Sequence, residues 1–130
     1  MSEACILIVE DDGLIRVPLA EYLRECGYQI LEAVSASEAR QLIASGEWRV
    51  DIVLADAGPP DESGFSLSAW IRREHPAVSV ILVGTLAKAA EKAGELCDEG
   101  PALSRPYDHR TVLDRIRRLL AARDRNDPKE

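Results

Sequence analysis

Two stretches of this sequence gather carboxylates at the point where a strand-like run stops. Glu10-Asp11-Asp12 follows directly on CILIV, Cys5–Val9, and Asp56 follows directly on VDIVLA, residues 50–55. Carboxylates within a few ångströms of one another repel, and neutral pH tolerates the cluster when a cation sits among them or some stay protonated. An all-oxygen donor set without His or Cys favours a hard ion, and a few carboxylates completed by water and phosphate oxygens suit Mg2+. A carboxylate beside Mg2+ can also attack phosphorus, giving an aspartyl phosphate while the metal neutralises charge on the transferring oxygens. Arg105 is the candidate cation for those oxygens, since its guanidinium presents several donors. Taken singly, each site has a plainer explanation: Asp11 and Asp12 as acids favoured at a helix start, Asp56 as a turn residue. Their matched placement at two strand ends favours the chemistry.

The elements that must hold these residues alternate between short β-branched runs and longer helical stripes, the pattern of an α/β domain with a parallel sheet. Strands are expected at 5–9, 28–34, 50–55, 79–83 and 102–104. The first is apolar throughout, as a central strand covered on both faces should be. Helices are expected at 14–26, 37–44, 65–74, 86–97 and 108–122, with Gly27 closing the first and Asp108 capping the last. Pro18 lies beyond the first turn of a helix starting near Leu14, so a kink or a later start is expected. Five right-handed alternations make a doubly wound sheet, whose ligands sit outside the carboxyl ends of the strands.

Length and composition bound the rest. The chain has 130 residues, 46% hydrophobic and 30% charged, which suits one globular domain, placed at 1–123 with a polar tail at 124–130. No apolar run approaches the roughly 18 residues of a bilayer span, and the first apolar stretch lacks a basic leader, so a cytoplasmic protein without membrane insertion is expected. A net charge of −7 argues against direct nucleic acid binding. The basic residues Arg110, Arg115, Arg117, Arg118, Arg123 and Arg125 are read as a solvated helix face. Cys5, Cys26 and Cys97 are odd in number and widely spaced, which suggests free thiols rather than a disulfide framework or a zinc knuckle. His75 and His109 are expected at the surface, and Trp48 and Trp70 in core or edge packing.

Four ordered motifs resemble the response-regulator receiver family, from about Ala4 to Leu120. CILIVEDD resembles its first strand and acidic pair, and DIVLAD its third strand with the phosphoacceptor at Asp56. Pro60 and Gly64 fall four and eight residues later, as in the family's loop, and SRPY resembles its Lys-Pro-aromatic element. The resemblance implies a flavodoxin-like, CheY-like fold of five parallel strands in the order 2-1-3-4-5 with five helices. It implies Mg2+ ligated by Asp11, Asp56 and the backbone carbonyl of Gly58, with Glu10 acting through water. The bond before Pro106 is often cis in this family.

Three positions depart from the family pattern. The hydroxyl residue that ends the fourth strand is replaced by Gly84, with Thr85 adjacent. The aromatic that swings inward is replaced by Ala102, and the basic residue is Arg105 where the family has Lys. The usual switch couples phosphate, hydroxyl and ring, so these changes imply Mg2+ binding and phosphorylation with a weak or rerouted response.

The function implied is phosphoryl acceptance from a histidine kinase or histidine phosphotransfer protein in a two-component phosphorelay, with output by contact with an unidentified downstream protein. Homodimers through the fourth and fifth helices are common among look-alikes. The rival reading is a receiver-like adaptor that works without phosphorylation. An enzyme beyond autocatalytic aspartyl phosphorylation and dephosphorylation is disfavoured. No Asp stands at position 13 to serve as a phosphatase acid, and the loop after the first strand is acidic where a flavodoxin-like nucleotide binder needs a Ser/Thr/Gly-rich phosphate loop.

Overall fold

The computed structural model describes residues 4–56 and 63–98, together with Asp114, Arg118 and Ala121. Its elements run β1 (Cys5–Val9), α1 (Gly13–Glu25), β2 (Gln29–Ala33), α2 (Ala36–Ala44), β3 (Ile52–Asp56), α3 (Ser63–Glu74), β4 (Ser79–Val83) and α4 (Leu86–Asp98). The strands form a parallel sheet in the order β2-β1-β3-β4. This is the expected architecture with four strands and four helices among the described residues, where five of each were expected. The fifth strand, at 102–104, lies outside the described residues. Of the fifth helix, Asp114, Arg118 and Ala121 are described, and all three are helical and exposed. Their spacing puts the three on one helical face.

β1 is buried along its whole length, and its alternating side chains feed two cores. Ile6 and Ile8 pack with α1 and α4, whereas Cys5, Leu7 and Val9 pack with α2 and α3. A two-sided strand must be apolar at every position, which explains the unbroken run. The helix ends follow local chemistry. Asp12 accepts from the N–H of Leu14 to start α1, and Ser35 accepts from the N–H of Glu38 to start α2. Gly27, at φ 102°, supplies the left-handed residue that turns the chain out of α1 into β2.

Several expectations are corrected. α1 starts at Gly13 and runs through Pro18, which is buried within it, so the proline does not delay the helix; the Asp12 cap and the packing of Leu19, Ala20 and Leu23 outweigh the missing N–H. Cys26 and Cys97 are joined in a disulfide with Cα atoms 5.3 Å apart, and only Cys5 is a free, buried thiol. The pair is separated by 71 residues, a spacing that carries no local signal. Trp48 is exposed rather than packed, whereas Trp70 packs beside His75, ring centroids 5.1 Å apart, and under the guanidinium of Arg40. α4 lies on the face of α1.

Candidate functional site

The parallel register sets the site. β1 pairs with β3 from Ile6 opposite Ile52 to Val9 opposite Ala55, so Glu10 and Asp56 are the next residues along two adjacent strands. Asp56 is the last residue of β3 and lies opposite Val83 of β4. Parallel strands present their carboxyl ends at one rim, and the chain turns there from β1 into α1. Glu10, Asp11 and Asp56 each offer a carboxylate oxygen, and these oxygens lie within 4.8 Å of one another. Asp11 and Asp56 are exposed and Glu10 is half-buried. Asp12 stays out of the trio, because its side chain caps α1 at 2.9 Å from the N–H of Leu14.

Glu10 is held from both ends. Its N–H donates to the carbonyl of Ala33 at 3.0 Å, and its Oε2 accepts from the N–H of Asp12 at 3.0 Å. Burial pushes its carboxyl up to about 7; the Asp12 N–H opposes that rise, while a hydrogen bond with Asp11 and the charges of Asp56 and Asp11 add to it. Charge is therefore in excess at this rim. Three converging carboxylates, with no sulfur or imidazole in the group, fit a hard divalent cation.

Arg16 was not singled out from the sequence. Its Nη1 donates to the carbonyl of Glu10 at 2.8 Å and its Nε to Glu32 Oε1 at 3.0 Å. Arg24 reaches the other oxygen of Glu32 at 3.2 Å. The guanidinium thus braces the acidic loop from beneath, one helical turn beyond the cap. A basic residue four positions after a capping acid was the available signal.

The remaining expected residues divide. Gly84 is exposed, and a Cβ built on it meets nothing within 4 Å, so the missing hydroxyl leaves open space at the end of β4. Thr85 does not replace it simply, since its Oγ1 caps α4 by accepting from the N–H of Lys88 at 3.1 Å. Gly64 lies in the first turn of α3. Gly58, Pro60, Ala102, Arg105 and Pro106 lie outside the described residues.

A family model described as the response regulator receiver domain matches residues 6–117. The chain is 31% identical over 119 residues to the transcriptional regulatory protein GltR of Pseudomonas aeruginosa, covering 88% of this chain and 48% of that protein. It is 30% identical to the DNA-binding transcriptional regulator NtrC of Rhizobium meliloti, covering 99% of this chain and 26% of the relative. It thus spans about half or less of the length of these curated relatives. Among solved structures, the signal receiver domain of an HD domain-containing protein from Pseudomonas fluorescens matches with TM-score 0.59 and 28% identity, covering 98% of this chain and 96% of that one. A response regulator receiver protein from Pseudomonas putida matches with TM-score 0.58 and 27% identity, covering 91% and 98%.

Proposed function

Because the chain belongs to the response regulator receiver family of two-component signalling, we propose that it accepts a phosphoryl group on Asp56 from a histidine kinase or histidine phosphotransfer protein. The observation that carries this reading is the convergence of the Glu10, Asp11 and Asp56 carboxylates within 4.8 Å. A carboxylate oxygen of Asp56 attacks phosphorus, the bond to the donor's histidine nitrogen breaks, and the imidazole leaves. Its exposure at the strand end supports access for a protein donor. Asp11, Asp56 and the carbonyl of Gly58 would hold Mg2+, with Glu10 acting through water. The cation supplies neutralisation of charge on the phosphoryl oxygens. Arg105 is assigned to those oxygens and Pro60, Gly64 and Pro106 to shaping the loops.

The proposal includes one receiver domain over 1–123 with a polar tail over 124–130, acting in the cytoplasm by contact with a downstream protein. No described helix is long and apolar enough to cross a membrane. Homodimerisation through the fourth and fifth helices belongs to the same proposal.

A second reading, an adaptor that works without phosphorylation, is favoured by Gly84 and by the use of the Thr85 hydroxyl as a helix cap. Without a hydroxyl aimed at the phosphoryl group, and with Ala102 in the aromatic position, phosphorylation lacks its usual coupling to the surface. Beryllofluoride with Mg2+, followed by backbone amide shifts, tests the first reading. Saturable shifts around residues 10–12 and 56 that vanish in Asp56→Asn support the phosphoacceptor. Absence of any shift in the native chain supports the adaptor.

A further inference from the structure

We propose that Cys26 and Cys97 form a thiol–disulfide site whose oxidation clasps α4 onto α1 and whose reduction releases it. Three observations meet at this place. The first is the bond itself, which joins the C-cap of α1 to the last turn of α4 across 71 residues of chain. Both cysteines are buried. Beside it, the hydroxyl of Tyr28 donates to the carbonyl of Leu96, so the two links hold the same end of α4.

The second is the composition of the docking face. α4 buries Ala89, Ala90, Ala93, Leu96 and Cys97 against Leu19, Leu23 and Tyr28. Hydrophobic stabilisation scales with apolar area, and alanine contributes little of it. A helix held by three alanine methyl groups, Leu96 and the partly buried Leu86 depends on its covalent tie more than α1 does, which buries Leu19, Tyr22 and Leu23.

The third is topological. β4 lies at the edge of the four described strands, and α2 and α3 cover the face opposite α1. α4 instead lies with α1. The clasp thus holds α4 on the α1 face of the edge strand, opposite α3.

The chemistry is thiol–disulfide exchange with a small-molecule disulfide or a protein disulfide. A thiolate at Cys97 attacks the oxidant's sulfur, one thiol of the oxidant leaves, and Cys26 then displaces the second from the mixed disulfide. Two protons and two electrons leave the chain, and the oxidant becomes two thiols. Cys5 is excluded from the exchange because it packs on the α2/α3 face of the sheet. In a reducing compartment such pairs are redox-sensing rather than permanent.

The test is hydrogen exchange and intact mass on the full native chain in buffers of reduced and oxidised glutathione, with no substitution required. Oxidised protein should lose the mass of two hydrogens, and a non-reducing peptide map should join the peptides holding Cys26 and Cys97. Amides of residues 86–98 should exchange at least about tenfold faster after reduction, while those of β1 keep their protection. A Cys26→Ser/Cys97→Ser chain should match the reduced protein in both buffers. Failure of the bond to form in oxidised glutathione would overturn the proposal. So would identical protection of α4 in the two states, or loss of protection in β1 together with α4, which would make the bond a staple of the whole fold. None of these outcomes depends on Asp56 chemistry.

Discussion

The backbone N–H of Asp12 donates to Glu10 Oε2 at 3.0 Å, so the loop that starts α1 also orients the half-buried member of the acidic trio. The same carboxyl titrates near 7 rather than at its ordinary 4.5, chiefly through burial. Folding therefore favours protonated Glu10. In metal-free protein this contribution to stability is fully present below about pH 4.5 and is lost as pH rises through about 7. On the proposed reading a divalent cation replaces the proton, and urea midpoints measured between these limits should fall with pH without Mg2+ and fall less, or rise, with it. Identical pH profiles with and without Mg2+ would contradict this.

Arg16→Met should lower stability by about 1–2 kcal/mol, because the Glu10 carbonyl and Glu32 both lose a charged donor. Arg24 still neutralises Glu32, which limits the loss. The looser acidic loop should also weaken Mg2+ binding severalfold, read by calorimetric titration. An unchanged affinity would show that Arg16 braces the helix and not the site.

Ser68 is 2% exposed, and its hydroxyl has no hydrogen-bond partner among the described residues. A buried unsatisfied hydroxyl is costly, and alanine is the better helix former. Ser68→Ala should therefore raise stability by about 1 kcal/mol, as a shift in the urea midpoint at constant slope. A destabilised variant would show that the hydroxyl finds a partner.

Gly84→Thr tests whether the missing hydroxyl limits the response. The position has room for a Cβ and needs no left-handed backbone, so stability should stay within about 0.5 kcal/mol of the parent. With beryllofluoride and Mg2+, amide shifts should extend further from the pocket into α4 than in the native chain. Equal spread in both would place the limit elsewhere, with Ala102 the next residue to replace.

What was legible in the sequence follows from how local each signal is. The unbroken apolar run Cys5–Val9 announced a strand covered on both faces, and both faces are covered. Strand ends are equally local, so the meeting of Glu10, Asp11 and Asp56 was readable once the strands were parallel. The Cys26–Cys97 pairing was not, because it depends on α4 packing with α1, a tertiary choice with no periodic trace. Trp48 misled for the opposite reason: its type favours burial, but it stands in the exposed stretch 44–49. Pro18 shows a local rule overridden, since a capped start and a buried face carried the helix through it. Arg16 was passed over because its partners are a carbonyl and a carboxylate on two strand ends, which meet only in the folded chain.

The most direct measurement is intact mass after incubation with Mg2+ and acetyl phosphate, on the native chain and on Asp56→Asn. The account predicts one phosphoryl adduct on the native protein, none on the variant, and none on either when EDTA replaces the metal. A native chain that stays unmodified, or a variant that is labelled equally, would contradict it.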